Sequence, residues 1–248
     1  MLFAPSRSDR PGAWLPEIEP ATEDELERCP FCGGREDRTP PETLRIGEPW
    51  QVRVVPNLYP AFERQEVVIH APEHIRSFAE LDDEHVELVA EAWTKRMTDA
   101  GGDVFALINE GRLAGASLPH SHSQLVWTEL PAENVEVLPE LLTDYPLARR
   151  GGVVAAVHPC GAGPYEALVA PEQGEGELAD GLVLLRDLFR RLQAAEGLRP
   201  WNAWLHLGPP WHLHFAPRLT ALAGLELGAG VYVNVVPPER AAERLRRD

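Results

Sequence analysis

Apolar and polar residues alternate in WQVRVVPNLYPAF (50–62) and QEVVIHAPEH (65–74). Both runs are rich in Val and Ile and punctuated by proline, which predicts strands. LDDEHVELVAEAWTKRM (81–97) changes to helical spacing, with acidic residues in its first turn, and predicts a helix. DVFALINEG (103–111) and SLPHSHSQLVW (117–127) predict two further strands around a glycine-rich turn. The same order then recurs. GGVVAAVHPC (151–160) and YEALVAPEQ (165–173) are strand-like, GELADGLVLLRDLFRRLQAAEG (176–197) is a helix stopped by Gly197, and WNAWLHLG (201–208) and WHLHFAPRL (211–219) return to strands. The junctions match as well: APEH (71–74) corresponds to APEQ (170–173), and HSHSQ (120–124) to HLHFA (212–216). A repeat of this length predicts an α+β fold of two similar halves, residues 1–145 and 146–248, packed as a pair. The first 50 residues, rich in Pro, Arg and Glu, predict an ordered but irregular arm.

The repeat isolates one unusual strand. In HSHSQ, His120, His122 and Gln124 occupy alternate positions and leave one face of an extended segment. Three polar groups there are costly to bury unless something binds them. The second copy has lost the glutamine and one junction histidine, so chemistry of this type belongs to the first half. CPFCGG adds Cys29 and Cys32 at the spacing that lets two thiolates grip one metal. Alone, that spacing also fits a redox pair or two unrelated thiols. No second C-x-x-C exists, so further ligands to a closed site would have to be histidines, and His74 and His120 are the candidates. His70, His85 and His158 read as hydrogen-bonded structural histidines, and Cys160 as a small buried hydrophobe.

Bulk properties narrow the partners. The 248 residues suffice for one large domain or two fused small ones, and 44% hydrophobic with 25% charged residues is ordinary for a globular chain. A net charge of −16 argues against a nucleic-acid surface, yet leaves room for a small phosphorylated ligand held by a few arginines. Lys95 is the one lysine, which removes a P-loop and makes Schiff-base chemistry improbable. A C-x-x-C pair suits a reducing compartment. The first residues lack a cleavable apolar core, and no run approaches the roughly 18 apolar residues of a membrane span. The expectation is a cytoplasmic protein without membrane partners.

Taken together, the repeat, the cysteine knuckle and H-x-H-x-Q resemble the galactose-1-phosphate uridylyltransferase family of the histidine-triad superfamily. CPFCGGREDRTPPETLRIG, VVPNLYPAF, NEGRLAGASLPHSHSQ and AGLELGAGVYVNVVPPERAAERLR are similar to family segments in the family order. The resemblance implies two tandem histidine-triad-like halves, the second degenerate, with mainly antiparallel sheets and a homodimer that completes the site. It also implies one structural zinc per chain on Cys29, Cys32, His74 and His120, with His122 as nucleophile and Gln124 where hydrolytic relatives have a third histidine. Ser117 and Gly115 match phosphate contacts, as do Arg7 and Arg10, while Asn57 and Asn109 match the nucleotide pocket and Glu226 a sugar-hydroxyl acceptor. The activity implied moves a nucleoside monophosphate from a nucleotide sugar to a hexose 1-phosphate or phosphate through a nucleotidyl-histidine. A histidine-triad hydrolase, an ADP-glucose or dinucleotide phosphorylase, and a non-catalytic nucleotide binder are the alternatives. Two departures, Ser121 inside the family's usual H-P-H and Tyr232 where many members carry glutamine, lean toward the ADP-glucose phosphorylase-like branch. A second metal would use His206, His212 or His214 with a carboxylate such as Glu133 or Glu136. Gln173 in place of a second His74 argues against a second zinc of the first kind.

Overall fold

The computed structural model describes residues 1–100, 103–128, 139–208 and 210–246. In chain order its elements are β1 (Leu2–Phe3), α1 (Glu23–Arg28), β2 (Leu44–Ile46), β3 (Val52–Pro56), β4 (Gln65–Ile69), α2 (Asp83–Ala100), β5 (Val104–Glu110) and β6 (His122–Trp127). They continue as β7 (Pro146–Arg150), β8 (Val153–Val157), β9 (Ala167–Pro171), α3 (Leu178–Glu196), β10 (Trp201–His206), β11 (His212–Pro217), α4 (Gly224–Ala229), β12 (Val233–Asn234) and α5 (Pro238–Leu245). Ten strands form one antiparallel sheet in the order β2-β3-β4-β6-β5-β10-β11-β9-β8-β7. Read inward from each edge, the first five and last five strands follow the same path, and the two copies meet where β5 pairs with β10, Ile108 opposite Ala203.

Strand register tests the repeat residue by residue. Ile69 pairs with His122, and their counterparts under the junction alignment, Leu168 and His214, pair likewise. Gln124 lies opposite Leu107, and Ala216 opposite Asn202. The expected α+β fold with two tandem, mainly antiparallel halves is therefore what the chain adopts. Sheet and core nevertheless run unbroken past residue 145, since one apolar cluster takes Val86, Val89 and Trp93 from α2 and Leu182, Leu185 and Phe189 from α3. Arg150 ties the helices further, reaching Asp83 of α2 and Asp180 of α3 at 2.8 Å each.

Helices cover one sheet face. On the other, the first half is covered by the cysteine knuckle, where Cys29, Phe31 and Trp50 pack on Val55, Val67 and Ile69. Alternation along β3 and β4 sends Val54 and Val68 to the helices and Val55, Val67 and Ile69 to the knuckle, so both strands are buried on both sides.

Four sequence readings need correction. The strand expected over 117–127 begins at His122, so His120 sits on the turn leading into it. Three prolines and glycines spaced through 111–119 keep that approach irregular. The strand expected over 65–74 ends at Ile69, and His74 belongs to the irregular segment that follows; α2 begins at Asp83. Cys160 is exposed, because it lies in the turn after β8 rather than within the strand. β2 and β7, the outermost strands, were not anticipated. β2 has three residues, and PLARR of β7 carries no apolar alternation.

Candidate active site and metal centre

Thr22 caps α1 by accepting from Glu25 N at 3.2 Å, and the helix ends at Cys29, whose N–H donates to Glu25 O at 3.1 Å. The knuckle turns back at Gly33, whose N–H donates to Pro72 O at 2.8 Å and so latches it to the segment bearing His74. Cys29, Cys32, His74 and His120 converge there. His120 Nδ1 stands 3.4 Å from Cys29 Sγ and 3.8 Å from Cys32 Sγ, and His74 Nδ1 stands 3.3 Å from Cys32 Sγ. A zinc tetrahedron with Zn–S of about 2.3 Å and Zn–N of about 2.0 Å separates sulfur from nitrogen by roughly 3.5 Å, so the four groups fit such an ion.

The outer nitrogens fix both rings. His120 Nε2 donates to Ala71 O at 3.0 Å, and His74 Nε2 to Glu25 Oε1 at 2.9 Å. Each ring must then offer Nδ1, as a lone pair, to the thiols. Burial brings His120 down to about 4, which keeps it neutral and able to ligate. Burial first, and the neighbouring Cys29 second, push the Cys32 thiol up to about 11. A cation between the sulfurs relieves that cost.

His122, the first residue of β6, is buried on the knuckle side with its ring against Phe31 (centroids 5.4 Å apart). Its Nδ1 donates to the carbonyl of His120 at 2.8 Å, which leaves Nε2 as a bare lone pair. Burial lowers its proton affinity, outweighing the carbonyl contact, so the ring is neutral near pH 7. Gln124, two residues on, accepts from Gln65 Nε2, so its own amide NH2 is the donating end.

The loop between β5 and β6 begins at Gly111 (φ 85°), where a side chain would meet Ile18 and Pro200 at 3.0 Å. It turns again at Gly115, in the left-handed region at φ 94°. Asn202 Nδ2 bridges Asn109 Oδ1 at 2.7 Å and Ala114 O at 2.8 Å, so Asn109 supports this loop from beneath. Ser117 lines a cavity of about 660 Å³ shared with Cys29, Arg28, Arg76 and Arg112, though His122 is not on its wall. Asn57 accepts from Tyr59 N at 2.9 Å and shapes the loop that exposes Leu58, Tyr59 and Phe62.

Glu110, just ahead of Gly111, is buried and accepts from Phe78 N at 2.9 Å. Burial raises its carboxyl from 4.5 to about 7. A raised carboxyl pKa means that its stability contribution is full below about pH 4.5 and is lost as pH rises to about 7, to the order of 3 kcal/mol. Glu110→Gln is therefore expected to raise the melting temperature at pH 8 and to change it little at pH 4.5. An equal shift at both, measured by calorimetry, would contradict the buried neutral acid.

Arg7 and Glu226 stand together at a different corner. There β1 pairs in parallel with β12, and Arg7 and Arg10 lie in and just after the 3-10 turn that follows β1. Glu226 accepts from Ala223 N at 2.9 Å; backbone donors chiefly, and Arg7 to a lesser degree, hold its carboxyl below the usual range. Among the described residues no hydrogen bond or ion pair joins these groups to His122 or Gln124.

His206, His212 and His214 converge, with ligating atoms within 4.8 Å of one another. Nδ1 of His206 and of His214 are buried without hydrogen-bond partners among the described residues. Glu133 and Glu136 lie outside the described residues; the carboxylate beside the trio is Glu166, 3.9 Å from His214 Nδ1. Three imidazoles and a carboxylate suit a divalent metal. Sequence reasoning missed Glu166, although an acidic residue at the mouth of the apolar strand ALVAP was its signal. His70 is a buried, hydrogen-bonded structural histidine, and the half-buried His85 is hydrogen-bonded to its carbonyl, as expected.

Residues 59–130 match the family described as galactose-1-phosphate uridyl transferase, N-terminal domain. An ADP-glucose phosphorylase of Arabidopsis thaliana is 24% identical, with 99% of this chain and 89% of that protein aligned. A galactose-1-phosphate uridylyltransferase of Streptomyces lividans is 28% identical over 89% of this chain and 78% of its own. In fold, the crystal structure of an ADP-glucose phosphorylase from Arabidopsis thaliana with bound ADP-glucose superimposes with a TM-score of 0.81 at 23% identity, covering 99% of this chain and 94% of that one. Residues 59–130 thus match a galactose-1-phosphate uridyl transferase domain in sequence, and nearly the whole chain shares its fold with an ADP-glucose phosphorylase.

Proposed function

We propose that the chain is a nucleotidylyltransferase that passes a nucleoside monophosphate from a nucleotide sugar to a phosphate acceptor, through a covalent link to His122. The observation that carries this is the buried, neutral imidazole whose Nδ1 is spent on the His120 carbonyl, so that Nε2 is its nucleophilic atom. Nε2 attacks the α-phosphorus, the N–P bond forms, and the bond to the sugar phosphate breaks. A phosphate oxygen of the acceptor then attacks the same phosphorus and returns the lone pair to Nε2. Gln124 donates from its amide to the phosphoryl oxygens and has no basic atom to activate water, which favours transfer over hydrolysis. Ser117 and the Gly115 turn supply further donors to the developing charge. Asn57 and Asn109 act by shaping the loops around the nucleotide, since both side chains are already engaged with their own loops. The acceptor is a hexose 1-phosphate or inorganic phosphate; Ser121 and Tyr232 favour the latter, with ADP-glucose as donor.

Cys29, Cys32, His74 and His120 hold a structural zinc in this reading, and a second metal sits at His206, His212 and His214 with Glu166. Residues 1–145 carry the chemistry and 146–248 form the degenerate copy. Arg7, Arg10 and Glu226 serve the site of a second protomer. Leu2 and Phe3 lie exposed on β1, and Leu225, Leu227, Val231 and Tyr232 are exposed around α4, an apolar surface suited to a two-fold contact.

Incubation with ADP-glucose or UDP-glucose is expected to add one nucleoside monophosphate to the intact mass, and added phosphate to remove it. No adduct with either donor would refute the reading. Light scattering is expected to give a dimer; a fully active monomer would exclude Arg7 and Glu226 from the site.

A further inference from the structure

We propose that Ser121 is a positioning residue for His122, held by a directed hydrogen-bond chain, Trp93–Ser123–His70–Ser121, on the helix side of β6. It rests on the reading of His122 as nucleophile. The His120–Ser121 peptide plane is used at both ends. Its carbonyl accepts from His122 Nδ1 at 2.8 Å, and its N–H donates to Ile75 O at 2.8 Å. Any rotation of that plane moves the carbonyl off His122 and frees the ring to exchange tautomers.

The residue after the plane is fixed in turn. Ser121 and Ser123 flank His122 and point to the opposite side, where His70 lies fully buried. His70 Nδ1 is 2.9 Å from Ser121 Oγ, and its Nε2 is 3.0 Å from Ser123 Oγ. Trp93 Nε1, which can only donate, gives its hydrogen to Ser123 Oγ at 2.8 Å. We take the Ser123 hydroxyl to donate to His70 Nε2, which gives that fully buried hydrogen an acceptor. His70 therefore carries its proton on Nδ1 and donates it to Ser121. Every link runs the same way, from the α2 core to the turn between the two histidines, and such chains polarise one another. The backbone is tied as well, since Ser121 O accepts from His70 N at 3.3 Å and His70 O from His85 Nε2 at 2.6 Å.

The chain explains why a serine stands between the two histidines: its N–H and its hydroxyl are both engaged, and proline would supply neither.

The test uses the full-length, metal-loaded protein labelled with 15N. Imidazole shifts, recorded without nucleotide, report the tautomer of His122. Wild type and Ser121→Thr are expected to show a single Nδ1–H form. Ser121→Ala, and Ser123→Ala one link away, are expected to show a tautomer mixture at unchanged metal content. In single turnover with ADP-glucose or UDP-glucose, Ser121→Ala should nucleotidylate roughly tenfold more slowly, the loss of about one hydrogen bond, with KM changed less than about twofold. Ser121→Thr should recover the rate. A single Nδ1–H tautomer retained in both alanine variants overturns the proposal. If the tautomers mix as expected but the wild-type protein never acquires a nucleotide, nucleotidyl transfer fails and the positioning role of Ser121 stands.

Discussion

Replacing His122 with asparagine is expected to abolish the covalent nucleotide and to reduce turnover by at least about three orders of magnitude. Asparagine can still donate to the His120 carbonyl, so the turn keeps its shape, but it offers no nitrogen lone pair to phosphorus. Metal content and nucleotide affinity should stay near wild type, because neither His120 nor the loop around Gly115 is touched. The check is intact-mass analysis beside steady-state kinetics, where the intact protein should give parallel double-reciprocal lines. Wild-type turnover in the variant, or intersecting lines, would remove His122 from the mechanism.

Cys29→Ser carries the second large effect. Serine keeps the volume but loses the thiolate, and the remaining three ligands are scattered over the turn before β6, the segment after β4 and the knuckle itself. Because the knuckle is the lid over Val55, Val67 and Ile69, metal loss should loosen one whole face of the first half. The expected loss is several kcal/mol, read as a fall of roughly 10 °C in melting temperature together with loss of bound zinc. Activity should fall as well, since His120 is one of the four converging groups and its carbonyl orients His122. Unchanged metal content with an unchanged melting curve would sink the assignment.

Much of this arrangement was legible before any coordinates. Period-two runs gave eight of the ten sheet strands because those strands are buried on at least one face, and the two long helices, α2 and α3, declared themselves by their spacing, while the short α1, α4 and α5 did not. The alignment of His122 with His214 also agrees with the register, since a repeat that preserves strand pairing preserves spacing. What escaped was long-range. β2 and β7 are strands only because a neighbour lends them hydrogen bonds. Glu25, which anchors His74, sits on a six-residue helix with nothing in its neighbourhood to mark it. Glu166 likewise becomes conspicuous only when the fold brings His214 alongside. His70 was recognised as structural, but its partners lie some fifty residues away in HSHSQ, beyond any local pattern.

Among the described residues, joining the two halves through β5 and β10 leaves β2 and β7 as the margins of the sheet. Both are poor templates for a further strand. β2 offers three residues with Arg45 outward, and β7 opens with proline, breaks register between Pro146 and Ala148, and ends in two arginines. Chains of this kind are thereby kept from adding to one another strand by strand into open-ended ribbons. That guards a sheet rich in Val, Ala and Leu against the aggregation its composition would otherwise invite.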